Sequence, residues 1–130
     1  MSELNDLIDD LNSTRLVFVA SLEGFDALLS RMLKSFKAPP TFPLATQENE
    51  LENVLYQIRN YHACGEAFLM ALRLLVYLRN HKPTLFDDLE PADVDALDIV
   101  LDAFQRFDRA SIAFKTWSID SKKQREETQA

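Results

Sequence analysis

The stretch from Ala63 to Leu78 constrains the fold more than any other part of the chain, because it is apolar on nearly every helical face. Only Gly65, Glu66 and Arg73 interrupt its apolar or small residues. A helix that is apolar all round lies either at the centre of a fold or across a membrane. A membrane span needs about 20 apolar residues, and this run is shorter and contains Arg73. We therefore expect a helix that is surrounded by protein.

This helix has apolar stripes on three sides, and two neighbouring helices rarely cover all three. Self-association is the simplest source of the third covering surface. Small residues around Gly65 would let a second backbone approach closely. A kink at Gly65 is the alternative interpretation, because Gly in a helix interior costs roughly 1 kcal/mol relative to Ala. The residues predicted to mediate self-association are Cys64, Gly65, Phe68, Ala71, Leu75, Phe107 and Phe114.

Helices are favoured over strands because the chain has only 2 Gly and 5 Pro, too few for the many turns of a β-rich fold. Periodicity and helix-end signals predict an all-α fold, an antiparallel up-down-up bundle of three long helices that dimerises into a larger helical bundle. The first helix has nearly the heptad spacing of a coiled coil. The predicted helices cover about 2–36, 47–80 and 91–119.

A single helical-bundle domain over residues 1–119 accounts for all the apolar periodicity. Residues 120–130 have no apolar anchor except Ala130, and we expect them to form a frayed or disordered tail.

The net charge of -7 lies in one segment. Residues 85–102 contain acidic residues and no basic ones. The rest of the chain has 14 acidic and 14 basic residues, so this segment accounts for the whole net charge. Direct binding to nucleic acid or to an anionic membrane needs clustered bases, so neither is expected. The acids of this segment are Asp87, Asp88, Glu90, Asp93, Asp95, Asp98 and Asp102.

No residue pattern indicates catalysis, a cofactor or a metal. Cys64 has no basic neighbour in sequence and is expected to be inert, and two isolated glycines cannot form a phosphate-binding loop. His62 and Glu66 share a helical face, but the further ligands that a helical metal site needs are missing. One cysteine excludes an internal disulfide and favours a reducing compartment, so a cytoplasmic location is expected.

The sequence therefore predicts a non-enzymatic helical interaction protein: an adaptor, a regulator, a small chaperone or an immunity-type protein. It would act through homodimers and through contacts with an unidentified protein partner. In the alternative, the carboxylates from Asp87 to Asp102 imitate a nucleic-acid strand and inhibit a nucleic-acid-binding protein as an acidic decoy. The predicted partner-binding residues for these interpretations are Asp95, Asp98, Asp102, Phe86 and Trp117.

Overall fold

A computed structural model of the chain describes residues 2–36, 50–61 and 65–129. Within these ranges every regular element is helical and none is a strand, which confirms the all-α prediction. A 3-10 helix, Pro83–Phe86, precedes the last α-helix. The α-helices are α1 (Ser2–Ser21), α2 (Phe25–Lys34), α3 (Glu50–Asn60), α4 (Gly65–His81) and α5 (Pro91–Gln129).

Each of the first two predicted helices is divided in the structure: the first into α1 and α2, and the second into α3 and α4. The chain's two glycines explain this division. Gly24 precedes α2 with a φ of 77°, and Gly65 begins α4 with a φ of 62°. A left-handed residue cannot continue a right-handed helix, and only Gly adopts this conformation without a steric penalty. A Cβ built at Gly65 would meet no atom within 4 Å. Among the described residues, none beyond its own neighbours therefore packs closely on Gly65, and close approach of a second backbone and a kink both stay predictions.

The chain divides into two compact units. The central unit is Leu22–Leu101, and the terminal unit combines Met1–Ser21 with Asp102–Ala130. α5 supplies residues to both. The prediction of one domain over residues 1–119 stays a prediction.

The central unit contains a layered helical core. α2 packs on α3, α3 packs on α4, and the 3-10 helix packs on both α3 and α4. The buried residues of α2 follow the i, i+3, i+4, i+7 spacing of an amphipathic helix: Phe25, Leu28, Leu29, Met32 and Leu33. α3 repeats the pattern with Leu51, Val54, Leu55 and Ile58.

Ion pairs join elements of the central unit that are distant in sequence. The Lys82 ammonium lies 3.0 Å from a Glu50 carboxylate oxygen, which links the end of α4 to the start of α3. The Arg31 guanidinium lies 3.1 Å from Asp93 and links α2 to the first turn of α5. Both pairs are at least partly exposed, so each contributes about 0.5 kcal/mol.

The terminal unit has a small core made largely of aromatic rings. The Phe18 ring of α1 lies 5.5 Å from the centroids of both Phe104 and Phe107 of α5. Phe18 is the one buried side chain of α1 among residues 3–21. Large aliphatic side chains of this unit remain exposed on both helices: Leu16, Val17, Val19, Ile112 and Ile119.

α5 continues ten residues beyond the predicted end at Ile119, so residues 120–129 are helical where a frayed or disordered tail was expected. The physical reason is local propensity, because Lys, Gln, Arg and Glu are strong helix formers and no Gly or Pro follows Pro91. The prediction considered only the lack of apolar anchors. In the described part of the chain, no helix combines the length and the apolar content that crossing a membrane requires.

Candidate functional site

α4 has two apolar faces, and only one of them is used by the central core. The inward face buries Phe68, Ala71, Leu72, Leu75 and Leu78. A second row, which is exposed and largely apolar, lies roughly 120° around the helix from this face, whereas Glu66 and Arg73 occupy the side directly opposite it. We call this exposed row the α4 seam, and its members are Ala67, Met70, Leu74, Tyr77 and His81.

The α4 seam has the spacing of a heptad repeat. Its members alternate between steps of three and four residues, which is the a/d pattern of a coiled coil. Met70 is 62 % exposed, Leu74 42 % and Tyr77 51 %. At about 100° per residue, the side chains of Met70, Leu74, Tyr77 and His81 fall within an arc of about 60° around the helix axis. The seam is therefore a narrow apolar stripe open to solvent.

Tyr77 and His81 form a small ring cluster at the C-terminal end of the α4 seam. Their ring centroids are 4.5 Å apart and the planes are tilted by 33°. This contact restricts both side chains, so less rotamer entropy would be lost on covering them.

Three residues predicted to mediate self-association lie inside the core of their own chain. Phe68, Ala71 and Leu75 are at most 5 % exposed. In this conformation they cannot contact a second copy, because the central unit already covers them. Sequence reasoning selected the face of α4 that the structure buries. Cys64 lies outside the described residues, and Gly65 is exposed.

The two remaining self-association candidates lie in the terminal unit. Phe107 stacks on Phe18 with nearly parallel planes, at an interplanar angle of 14°. Phe107 and Phe114 are both half-buried. They belong to a different compact unit from the α4 seam, and Phe107 contributes to its own unit's core.

Three of the acids in the segment 85–102 pair with basic side chains of the same chain: Asp93, Asp98 and Asp102. Asp98 accepts two hydrogen bonds from the Arg79 guanidinium, at 3.0 and 3.1 Å. These bonds raise the pKa of Arg79 above its ordinary value, although partial burial acts in the opposite direction. Asp102 lies 3.3 Å from Arg106, one helical turn away. Asp95 is exposed.

Phe86, predicted to contact a partner, is buried instead. It is 3 % exposed, and the Arg79 guanidinium lies 5.2 Å from its ring centroid in a cation–π arrangement. The 3-10 helix that carries Phe86 packs on both α3 and α4. Phe86 is therefore a core residue that supports the Arg79–Asp98 pair.

Trp117, the other aromatic residue predicted to contact a partner, is half-buried and lines a groove of the terminal unit. We call it the Trp117 groove. Its volume is about 510 Å³, within the usual range for ligand pockets. α1 and α5 form its walls with Glu3, Leu7, Ala113, Thr116, Trp117, Asp120, Ser121 and Gln124.

Sequence reasoning missed the α4 seam and the acidic side of the Trp117 groove. Met70 and Tyr77 carry a heptad signal, but the other faces of α4 are equally apolar and hid it. Glu3 and Asp120 are more than one hundred residues apart, and only the pairing of α1 with α5 brings them to one cavity.

No three His, Cys, Asp or Glu side chains in the described ranges are grouped as metal ligands; His62 and Cys64 lie outside those ranges. The sequence matches no known family model, and no curated protein or solved structure is detectably similar to it.

Proposed function

We propose that this chain is a cytoplasmic, non-enzymatic helical interaction protein that self-associates through the α4 seam and acts by holding a protein partner. The observation that supports the proposal is the exposed apolar row on α4, which lies beside the face that forms the core. Monomeric proteins seldom leave such a contiguous row open to water, and exposed apolar patches of this kind mark interaction surfaces.

A second copy is the occupant that the spacing favours. A heptad row on one helix packs well against another heptad row, since its knobs fit the holes between four residues of the partner helix. A second copy of this chain carries the same heptad row, so no other protein is needed to supply it. A closed two-fold contact uses the same surface on both copies. The dimer is therefore a coiled-coil pairing of two α4 helices.

The size of the row predicts a weak dimer. Met70, Leu74 and Tyr77 are each about half exposed, so covering each one contributes on the order of 1 kcal/mol. Two copies bring six such side chains together, and the entropy of association opposes the total. We expect dimers that form at high protein concentration and dissociate on dilution.

The acidic-decoy interpretation is not favoured by any contact in the structure. Asp93, Asp98 and Asp102, three of the carboxylates in the segment 85–102, pair with Arg31, Arg79 and Arg106. An imitation of nucleic acid requires carboxylates that are free to meet a basic site. The exposed carboxylates of Asp87, Asp88, Glu90 and Asp95 still fit that requirement, and the decoy stays an untested prediction.

A matched pair of substitutions tests the proposal. Met70 and Ile99 are both in the central unit and similarly exposed, at 62 % and 68 %, but only Met70 belongs to the α4 seam. We expect Met70→Arg to shift the protein toward the 14.9 kDa monomer in light scattering over a concentration series. Ile99→Arg adds the same charge elsewhere and leaves the dimer intact.

Circular dichroism and thermal melting show whether both variants keep the fold. Equal dissociation by both substitutions would exclude the α4 seam as the specific contact. Dimers that persist in folded Met70→Arg would place self-association on another surface, and the proposal would be wrong.

A further inference from the structure

We propose that the Trp117 groove binds a guanidinium group, such as an arginine side chain, between the Trp117 indole and the carboxylates of Glu3 and Asp120. This is a separate site from the α4 seam, because every residue that lines it lies on α1 or α5.

The groove combines an aromatic wall with negative charge from two different helices. Glu3 is on α1, whereas Trp117 and Asp120 are on α5. None of the described residues that line the groove is basic. No salt bridge joins Glu3 or Asp120 to another residue of the described ranges. Two carboxylates therefore line one groove whose described walls hold no counter-charge, and a bound cation would supply one.

Trp117 makes an organic cation a better ligand than a metal ion. Indole offers the strongest cation–π surface among protein side chains, but it does not coordinate hard metal ions. The remaining lining residues are a mixture of aliphatic and neutral polar side chains. Such walls suit an alkyl stem that ends in a cationic head group.

A guanidinium group fits these walls better than an ammonium group. It is planar and weakly hydrated, so it stacks on an aromatic face while its edge donates several hydrogen bonds. One guanidinium can thus contact Trp117 with its face and carboxylates with its edge. The volume of about 510 Å³ leaves room for the side chain and the adjoining backbone.

The fluorescence of Trp117 provides a direct assay, because it is the only tryptophan of the chain. N-acetylarginine amide is titrated against the full chain, and N-acetylcitrulline amide serves as the neutral probe of nearly identical shape. We expect saturable quenching or a spectral shift with the arginine probe, at least about tenfold weaker binding of the citrulline probe, and weaker arginine binding as salt is raised.

Substitutions that remove charge but keep side-chain shape test the carboxylates. We expect Glu3→Gln and Asp120→Asn to weaken binding of the arginine probe about threefold each, and about tenfold together. The matched control is Asp6→Asn with Asp9→Asn, which removes two exposed charges of α1 that do not line the groove. The control should bind like the unchanged chain, and circular dichroism shows that each variant remains helical.

A third probe, an Arg-containing tripeptide, distinguishes the two sources of the cation. Tighter binding of the tripeptide than of the blocked amino acid assigns the groove to a polypeptide segment, and weaker binding assigns it to a free small molecule. Equal binding of arginine and citrulline probes would overturn the proposal. So would an equal loss of affinity in the groove variants and the control, or no saturable change in fluorescence at any probe concentration.

Discussion

The central and terminal units use similar apolar residues in very different ways. In the central unit, α2, α3 and α4 each bury at least four apolar side chains. In the terminal unit, α1 buries Phe18, while its neighbours Leu16, Val17 and Val19 stay exposed. The run of four apolar residues places side chains on all sides of one helix, so a single neighbouring helix cannot cover them.

This difference shows that periodicity, rather than apolar content, decides whether a helix contributes to a core. A residue's helical face determines its burial, and consecutive apolar residues point in different directions. We therefore expect the central unit to carry most of the free energy of unfolding and the terminal unit to open at lower energy.

The largest expected effect belongs to the core of the central unit. Leu75 is fully buried, and Leu75→Ala should reduce the free energy of unfolding by about 3 kcal/mol through lost burial and a cavity. Urea denaturation of dilute protein measures this change in the monomer. A loss below about 1 kcal/mol, with weakened dimers, would show that Leu75 serves the interface that the sequence first suggested.

A smaller and local effect is expected in the terminal unit. Phe18→Ala removes the ring that contacts Phe104 and Phe107, so the amides of α1 should lose their protection in hydrogen exchange. Those of α3 and α4 should keep theirs, because the central core is unchanged. Equal loss of protection in α1, α3 and α4 would mean that the two units unfold as one.

The smallest effect is expected at Gly24, where its sign matters more than its size. Gly24→Ala should destabilise the protein by about 1 kcal/mol, because an alanine there would have to adopt a left-handed conformation. Asn tolerates that conformation better, so Gly24→Asn should cost less. If one helix ran through residues 2–36, alanine would stabilise it by a similar amount. Thermal melting of the three proteins distinguishes these outcomes.

The all-helical class could be predicted from the sequence, because few turn residues and strong helical periodicity are both local signals. The chain's own glycines divided the long helices, and the backbone angle that a glycine adopts depends on tertiary packing. The buried face of α4 could not be chosen, because Leu72 and Leu74 are equally apolar. Leu72 is buried and Leu74 exposed because of where α3 and the 3-10 helix pack on α4.

The candidate sites were harder to predict because they depend on contacts between distant segments. Trp117 was selected as a partner-binding residue from its type alone, whereas Glu3 reaches the same groove only through the pairing of α1 with α5. Asp98 was selected for its charge, but its engagement by Arg79 follows from the packing of α4 beside the first turns of α5.

Sedimentation velocity over a wide concentration range, at low and high salt, tests self-association through the α4 seam most directly. We predict a transition from the 14.9 kDa monomer to a dimer that salt does not weaken, because the contact is apolar. At about 1 mM, an association free energy of about 4 kcal/mol would place half of the protein in dimers. A protein that stays monomeric at every concentration up to this value would contradict self-association through the α4 seam.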